Sequence, residues 1–441
     1  LRGKFMKVLL VGSGGREHAL AWKLNQSKVV SELLLWPGNP AMAGLGQIPD
    51  WPAAIDWADV VRRSQEAGVD FVVVGPEKPL AEGLADLCEQ AGLPVFGPNQ
   101  AVAQLEASKA FAKDVMQAAG IPTAAYETAD DQSTCDQQAR RLLHEKGGVV
   151  LKASGLAGGK GVFVCRSVEE LEHAMRRLYG QNMMKAAETV VLEEILEGRE
   201  CSYFALVGRE GSSYLGFAVD FKRLQDGDLG PNTGGMGCYT PVPWLPDDAA
   251  KQVDEQIVAP LLAELDRRQM TYHGCLYVGL MWGKNGPAVV EFNVRLGDPE
   301  AQVLAVSDER DWGAMIAEQL GFKTHEPVAV EAGPEWPAVA VVMASSAYPY
   351  GGDEQPAKVL PADIFTHQDK SLVVFGAAIA SGEEGQLLTG QGRVLTVAAG
   401  ASNLADARTR CYRQVEELAR DWLGVQYRHD IAQRVISDSR T

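Results

Sequence analysis

A chain of 441 residues, 46% hydrophobic and 22% charged, has material for two to four globular domains with substantial cores. Its 41 basic and 58 acidic residues give a net charge of −17, with no lysine- and arginine-rich stripe, which argues against a nucleic-acid partner. Seven scattered cysteines show no C-x-x-C spacing and no apolar run reaches the roughly 18 residues of a membrane span, so the expected setting is a reducing cytoplasm away from membranes.

The first five residues carry no signal-peptide core, and the structured chain is expected to begin at Met6. Short apolar strands are predicted at 7–11, 33–36, 71–74 and 94–96, with helical patterns between them. This is the signature of βα units on a parallel sheet, whose ligands sit beyond the carboxyl ends of the strands. Those ends carry G-S-G-G-R-E-H from Gly12, P-G-N from Pro37, and G-P-E from Gly75. A helix is predicted over 105–119, closed by Gly120 and Pro122. A small α/β unit follows over 125–195, shaped like a lid inserted into a larger domain. Strands at 201–207, 214–219, 276–282 and 288–294 and a helix over 248–269 complete the centre. After a Glu-, Pro- and Gly-rich linker near 325–336, strands at 338–343, 372–379 and 393–398 and a helix at 403–422 form a last small domain.

Three stretches carry chemistry. The first is the hairpin 149–165, in which two apolar runs flank Gly155, Gly158, Gly159 and Gly161 together with Lys152 and Lys160. Its glycines let backbone N–H groups converge on phosphates, and its lysines supply charge. It is not a Walker A loop, because Gly161 follows the lysine and the chain continues into a strand. A mobile hairpin without a ligand has equal standing on this stretch alone. The second is the turn at Gly12, Gly14, Gly15 and Arg16. Glu17 stands at the third glycine position of a dinucleotide fingerprint, and no acid ends the second strand, which argues against NAD. A helix N-terminus beside Arg16 suits a phosphate monoester instead, with a tight turn that serves only packing as the alternative. The third is V-V-E-F-N-V-R at 289–295. Alternation along a strand puts Glu291, Asn293 and Arg295 on one face, where carboxylate and amide oxygens suit a hard cation and the arginine suits an oxyanion. An edge strand with a solvated polar face is the alternative.

In order along the chain, G-G-R-E-H-A-L at 14–20, P-G-N at 37–39, G-P-E at 75–77, the glycine-rich hairpin, P-N-T-G-G-M-G at 231–237 and E-F-N-V-R-L-G-D-P-E at 291–300 resemble the phosphoribosylamine–glycine ligase family of the ATP-grasp superfamily. The resemblance implies an N-terminal parallel-sheet βα domain (6–104), then an ATP-grasp fold (105–124 and 196–328) with an inserted lid (125–195) and a small C-terminal α+β domain (335–430). It implies ATP and Mg²⁺ (or Mn²⁺) as cofactors, and glycine and 5-phosphoribosylamine as substrates; the sequence does not give the oligomeric state, and a monomer or weak dimer is compatible with it. It puts Lys109 and Lys152 on the ATP phosphates under the flap of Gly155, Gly158, Gly159, Lys160 and Gly161. Glu193 falls at the adenine amino group, the backbone near Leu196 at the adenine edge, and Glu200 on the ribose. Glu291 and Asn293 become the metal ligands, and Arg295 and Lys152 the catalytic charges. The turn from Gly12 to Arg16 takes the substrate phosphate, with Asn39, Glu77, Asn232, Gly234 and Gly235 in the substrate motifs and Asp298 at the glycine ammonium.

The implied reaction uses ATP to join glycine to phosphoribosylamine through glycyl phosphate, in purine synthesis. Two positions depart from the pattern. Phe221 stands where the family often has histidine in D-H-K-R, and the strand over 276–282 lacks the acidic metal ligand many ATP-grasp enzymes carry. A different ATP-grasp ligase or carboxylase, a nicotinamide-dependent dehydrogenase and a non-catalytic nucleotide-binding module are the competing readings.

Overall fold

The computed structural model describes residues 5–52, 54–155, 161–180, 189–324, 336–352, 355–361, 363–366 and 369–438. Its four short N-terminal strands pair in parallel in the order Val30–Pro37, Met6–Gly12, Phe71–Val74, Val95–Phe96. These strands read as unbroken apolar runs because both faces of the sheet are covered. Leu9 and Val11 enter one core while Val8 and Leu10 enter another. The polar strand ends therefore gather along one edge.

The central sheet has eight strands in the order Gly286–Asn293, Gly274–Gly283, Arg199–Gly208, Gly211–Asp220, Gly237–Thr240, Ala338–Ala344, Arg393–Gly400, Leu372–Gly376. Every neighbouring pair is antiparallel. Side chains again divide by parity: Tyr203, Ala205 and Val207 join one core, Phe204 and Leu206 the other. The last three strands come from the C-terminal segment. They join through Gly237–Thr240, so that segment extends the central sheet by hydrogen bonding instead of standing apart from it.

The lid is a four-stranded antiparallel sheet, Tyr126–Ala129, Val190–Glu193, Val149–Ala153, Val162–Cys165. Val149, Leu151, Ala153, Val190 and Leu192 pack on one face against Ala139 and Leu142 of helix Gln132–Lys146 and Leu171 and Leu178 of helix Val168–Gly180. By alternation, Lys152 and Glu193 fall on the opposite face. All seven cysteines are unpaired and buried. Among the described residues no helix is long and apolar enough to cross a membrane.

The predicted helix over 105–119 is two helices, Gln100–Ala107 and Lys109–Ala118. Ser108 breaks them. Its φ of −130° is extended, and its hydroxyl caps the second helix by accepting from Phe111 N at 3.2 Å. This turns the start of the second helix, and with it Lys109, toward the lid.

His18 ties the N-terminal domain to the C-terminal segment: its Nδ1 accepts from Gly376 N at 2.9 Å, and its ring meets Phe375 edge-on. Burial pushes its pKa down from 6.5 to about 4, against a smaller opposing effect of the Gly376 backbone. The folded state then binds fewer protons than the unfolded chain between these values, so the contribution is full above about pH 6.5 and is lost as pH falls through 4. Expected over that window is a loss of about 3 kcal/mol at 1.36 kcal/mol per unit. Thermal melts from pH 7 to 4 should show a shallower slope for His18→Gln; identical slopes would contradict the assignment.

Candidate active site

The lid's polar face meets the first turns of helix Lys109–Ala118 around one carboxylate. Glu193 accepts from Lys152 Nζ at 2.7 Å and from Lys113 Nζ at 3.1 Å, and all three side chains are buried. Lys152 also donates to Val290 O at 2.9 Å, and Lys113 to Thr123 Oγ1 and Ala124 O. Lys152 thus bridges the lid to the strand that carries Glu291. Burial lowers the pKa of Lys113, with Glu193 opposing. Lys109 sits beside the hairpin and donates to Gly155 O at 3.1 Å. Burial lowers its pKa too, and Glu291 works against the shift. At the far side of the hairpin, Gly161 O accepts from Ala153 N at 2.9 Å. Gly158, Gly159 and Lys160 lie outside the described residues.

Leu196 sits half-buried in the connection from the lid strand to the central strand Arg199–Gly208. On that central strand Glu200 pairs with Lys222, which also lies 4.0 Å from Asp220. Burial pushes Asp220 up to about 7, Lys222 opposes it, and Glu300, Glu200 and Glu291 add to it.

Glu291 and Asn293 lie on one face of their strand, while Phe292 and Val294 turn into the core, as alternation requires. Across the ladder from Glu291 stands Gly279, where a Cβ would come 3.2 Å from Glu291 Cγ; the bare backbone leaves the carboxylate its space. Burial would raise the Glu291 pKa, but Lys222, Lys152, Lys109 and Arg295 outweigh it and keep the carboxylate ionised. Those cations all stand beyond contact distance. Among the described residues Glu291 makes no hydrogen bond or ion pair, and Asn293 Oδ1 takes only a 3.4 Å contact from Arg295 Nη2. An ionised, enclosed carboxylate beside a loosely held amide oxygen fits a hard divalent cation whose other ligands are phosphates and water. No group of three or more His, Cys, Asp or Glu side chains converges among the described residues, so an all-protein cage of the zinc type does not fit.

Arg295 is anchored more tightly than the sequence implied. It donates to Glu106 Oε1 at 2.7 Å, Glu77 Oε2 at 3.2 Å and Leu296 O at 3.2 Å. Glu106 accepts from Val294 N at 2.9 Å through its other oxygen. Glu77 in turn lies 3.8 Å from Arg16, whose Nη1 donates to Leu296 O at 3.2 Å. The alternating chain Arg16, Glu77, Arg295, Glu106 therefore joins the strand ends of the N-terminal domain to the central site.

At the first turn, the Glu17 carboxylate accepts from Gly14 N at 2.7 Å and from Arg16 Nε at 2.5 Å. Gly12 has φ +133°, and a Cβ there would lie 2.3 Å from Glu17 Cγ. Glu17 thus fills from within the place a third glycine would leave open, which removes one N–H from any ligand and leaves the helix end with Arg16. Asn39 serves the scaffold: it donates to Ser13 O at 2.6 Å and accepts from Ala41 N at 2.8 Å. Asn232 ends the strand Leu229–Asn232, paired with Arg223. Gly234 and Gly235 lie against Asp298, held there by Arg393 of the C-terminal segment. Phe221 packs apolar instead of polar, under the Arg428 guanidinium at 4.8 Å and tilted toward Tyr239.

Sequence reasoning did not assign Lys113, Glu106 or Arg393 to the site. Lys113 had a signal, since it follows Lys109 by four residues and shares its helix face. Glu106 and Arg393 had none, because each reaches a loop far away in sequence.

A lid sheet that presents a lysine and a glutamate to a central antiparallel sheet, over a carboxylate–amide pair and a glycine-rich hairpin, is the ATP-grasp arrangement. The biotin carboxylase domain of 2-oxoglutarate carboxylase from Hydrogenobacter thermophilus, solved with MgADP, shares the fold with a TM-score of 0.67 at 17% identity, over 94% of this chain and 90% of that one. Family profiles of phosphoribosylglycinamide synthetase match the N domain over residues 6–106, the ATP-grasp (A) domain over 107–301 and the C domain over 338–434. Phosphoribosylamine–glycine ligase of Rhizobium meliloti (strain 1021) is 39% identical over 442 residues, 98% of this chain and 99% of the relative. The crystal structure of phosphoribosylamine–glycine ligase from Thermotoga maritima matches with a TM-score of 0.80 at 33% identity, over 97% and 100% of the two chains. The chain belongs to the phosphoribosylamine–glycine ligase family.

Proposed function

We propose that this chain uses ATP to join glycine to 5-phosphoribosylamine, giving glycinamide ribonucleotide, ADP and phosphate, the step of purine synthesis for which its relatives are named. The observation that carries the reading is Glu291: a carboxylate kept ionised by the charges of Lys222, Lys152, Lys109 and Arg295, two residues from Asn293 on the same strand face and without a hydrogen bond or ion pair among the described residues. Such a site gathers positive charge at a point where the fold of the family brings a nucleotide's phosphates.

Glu291 and Asn293 would hold Mg²⁺, which would supply charge neutralisation on the transferring phosphoryl group. Lys109 and Lys152 hold the phosphate oxygens. Glu193 is held between Lys113 and Lys152 and accepts from the adenine amino group, while Leu196 and Glu200 flank the base and ribose. Arg295, fixed by Glu106 and Glu77, faces the oxyanion that develops as the glycine carboxylate takes the γ-phosphoryl group. No side-chain nucleophile is needed, so the protein contributes position and charge. Arg16 and the start of its helix hold the phosphate of phosphoribosylamine, whose amine displaces phosphate from glycyl phosphate. Closure of the lid keeps water from that acyl phosphate.

The test is ADP release measured with each substrate withheld in turn. The reading expects release only when glycine and phosphoribosylamine are both present. Release with bicarbonate in place of glycine would instead favour a carboxylase, and none under any condition would favour a binding module.

A further inference from the structure

Arg393 opens the strand Arg393–Gly400, in the C-terminal segment, yet its guanidinium lies between two substrate loops of the central domain. Nη1 donates to Gly234 O at 2.6 Å and to Asp298 O at 2.5 Å, with Gly235 O at 3.5 Å. Nη2 donates to Asp298 Oδ2 at 3.1 Å. The other Asp298 oxygen accepts from Gln302 Nε2 at 2.8 Å. Packing on this side is close: Gly235 has φ +112°, and a Cβ there would lie 2.6 Å from Pro299 Cδ. The Asp298 carboxylate is held below the usual range, its burial outweighed chiefly by Arg393 and then by Arg16.

A guanidinium has five N–H groups in two forks. The end-on fork, formed by both terminal nitrogens, is spent on the backbone and side chain of Asp298 and on Gly234. Among the described residues, Nε and the second hydrogen of Nη2, which form the side-on fork, have no acceptor. The side chain keeps 23% of its exposure, so this edge is not sealed away. A half-open, permanently charged fork beside Asp298 matches a planar carboxylate or a phosphate oxygen pair, and binds either in two-point fashion.

We propose that the free edge of Arg393 binds an oxyanion of one of the two acceptor substrates, the glycine carboxylate or the phosphate of phosphoribosylamine, in the ligase reaction proposed above. The C-terminal segment then contributes a substrate contact to the central site. Asp298 plays a double part: it orients Arg393 and is itself partly neutralised, which leaves it less able to hold a substrate ammonium alone.

The experiment compares the full-length protein with Arg393→Lys and Arg393→Ala, measuring KM for ATP, glycine and phosphoribosylamine, with melting temperature as a control. Tyr348→Phe is the structural comparison, because the Tyr348 hydroxyl accepts from Gly234 N at 3.0 Å and braces the same loop. Expected for Arg393→Ala is a KM rise of about tenfold or more for one acceptor, with KM for ATP within about twofold and partial rescue by added guanidinium. Arg393→Lys should keep charge but lose most of the fork's effect, and Tyr348→Phe should lower stability without this KM change. A shift in glycine KM identifies the carboxylate, and a shift in phosphoribosylamine KM the phosphate. Equal shifts in all three constants, or none, would overturn the proposal and leave Arg393 as a brace. If the unmodified protein releases no ADP with all substrates present, the ligase reading itself fails, which that control reveals separately.

Discussion

Replacing Glu291 by Gln is expected to lower kcat/KM on the order of 100-fold at low Mg²⁺ and to raise the Mg²⁺ needed for half-maximal rate, with the fold intact. The magnitude follows from geometry. Glu291 is the ionised group at the centre of Lys222, Lys152, Lys109 and Arg295, and among the described residues it bonds to none of them. Removing its charge breaks no hydrogen bond but takes away the attraction of those cations, so melting should fall modestly while the fold is kept. It does leave four cations facing an anionic substrate without the group that holds the metal. Asn293→Ala should shift the metal requirement in the same direction and less far, because it removes a neutral oxygen. Metal titrations of rate and thermal melts decide this; an unchanged Mg²⁺ requirement in both variants would remove them as ligands.

Arg295→Ala is expected to lose both activity and stability, and the two losses should separate in a double variant. Arg295 neutralises Glu106, which is buried and whose pKa burial raises against the pull of Arg295. Removing the arginine strands that carboxylate, at a cost of about 3–5 kcal/mol. Glu106→Gln in the same chain removes the stranded charge, so Arg295→Ala/Glu106→Gln should recover much of the stability. Activity should stay low in both, because the charge facing the acyl phosphate is gone. Denaturant unfolding and steady-state rates measure the two effects. Equal stability of single and double variants would mean the Glu106 pair is not what anchors Arg295.

The architecture was legible where burial is two-sided or strictly alternating. Runs such as 201–207 and 276–282 announce strands because both faces are covered, and Glu291–Phe292–Asn293 reads correctly because its two faces differ in chemistry. Partners remote in sequence were not legible. Nothing near Arg393 says that its guanidinium reaches Asp298, 95 positions away, or that its strand continues the central sheet. Glu17 could be recognised as displacing a glycine, but its turn inward to bond Gly14 and Arg16 depends on the space beside Gly12 and Gly75. The break at Ser108 was marked only by a capping serine inside an otherwise helical pattern. Phe221 looked like a lost polar function; the Arg428 guanidinium over its ring gives it a packing role that only the fold supplies.

The central claim is that this site moves a phosphoryl group onto a carboxylate and not onto a protein nucleophile. Glycine with ¹⁸O in both carboxylate positions tests it most directly. Transfer of the γ-phosphoryl group makes one carboxylate oxygen the bridge to phosphorus, and that oxygen leaves with phosphorus when the amine attacks. Mass spectrometry should therefore find one ¹⁸O in the phosphate released per turnover and one in the amide of glycinamide ribonucleotide. Unlabelled phosphate formed together with product would show that glycyl phosphate is not on the path, and would contradict the account.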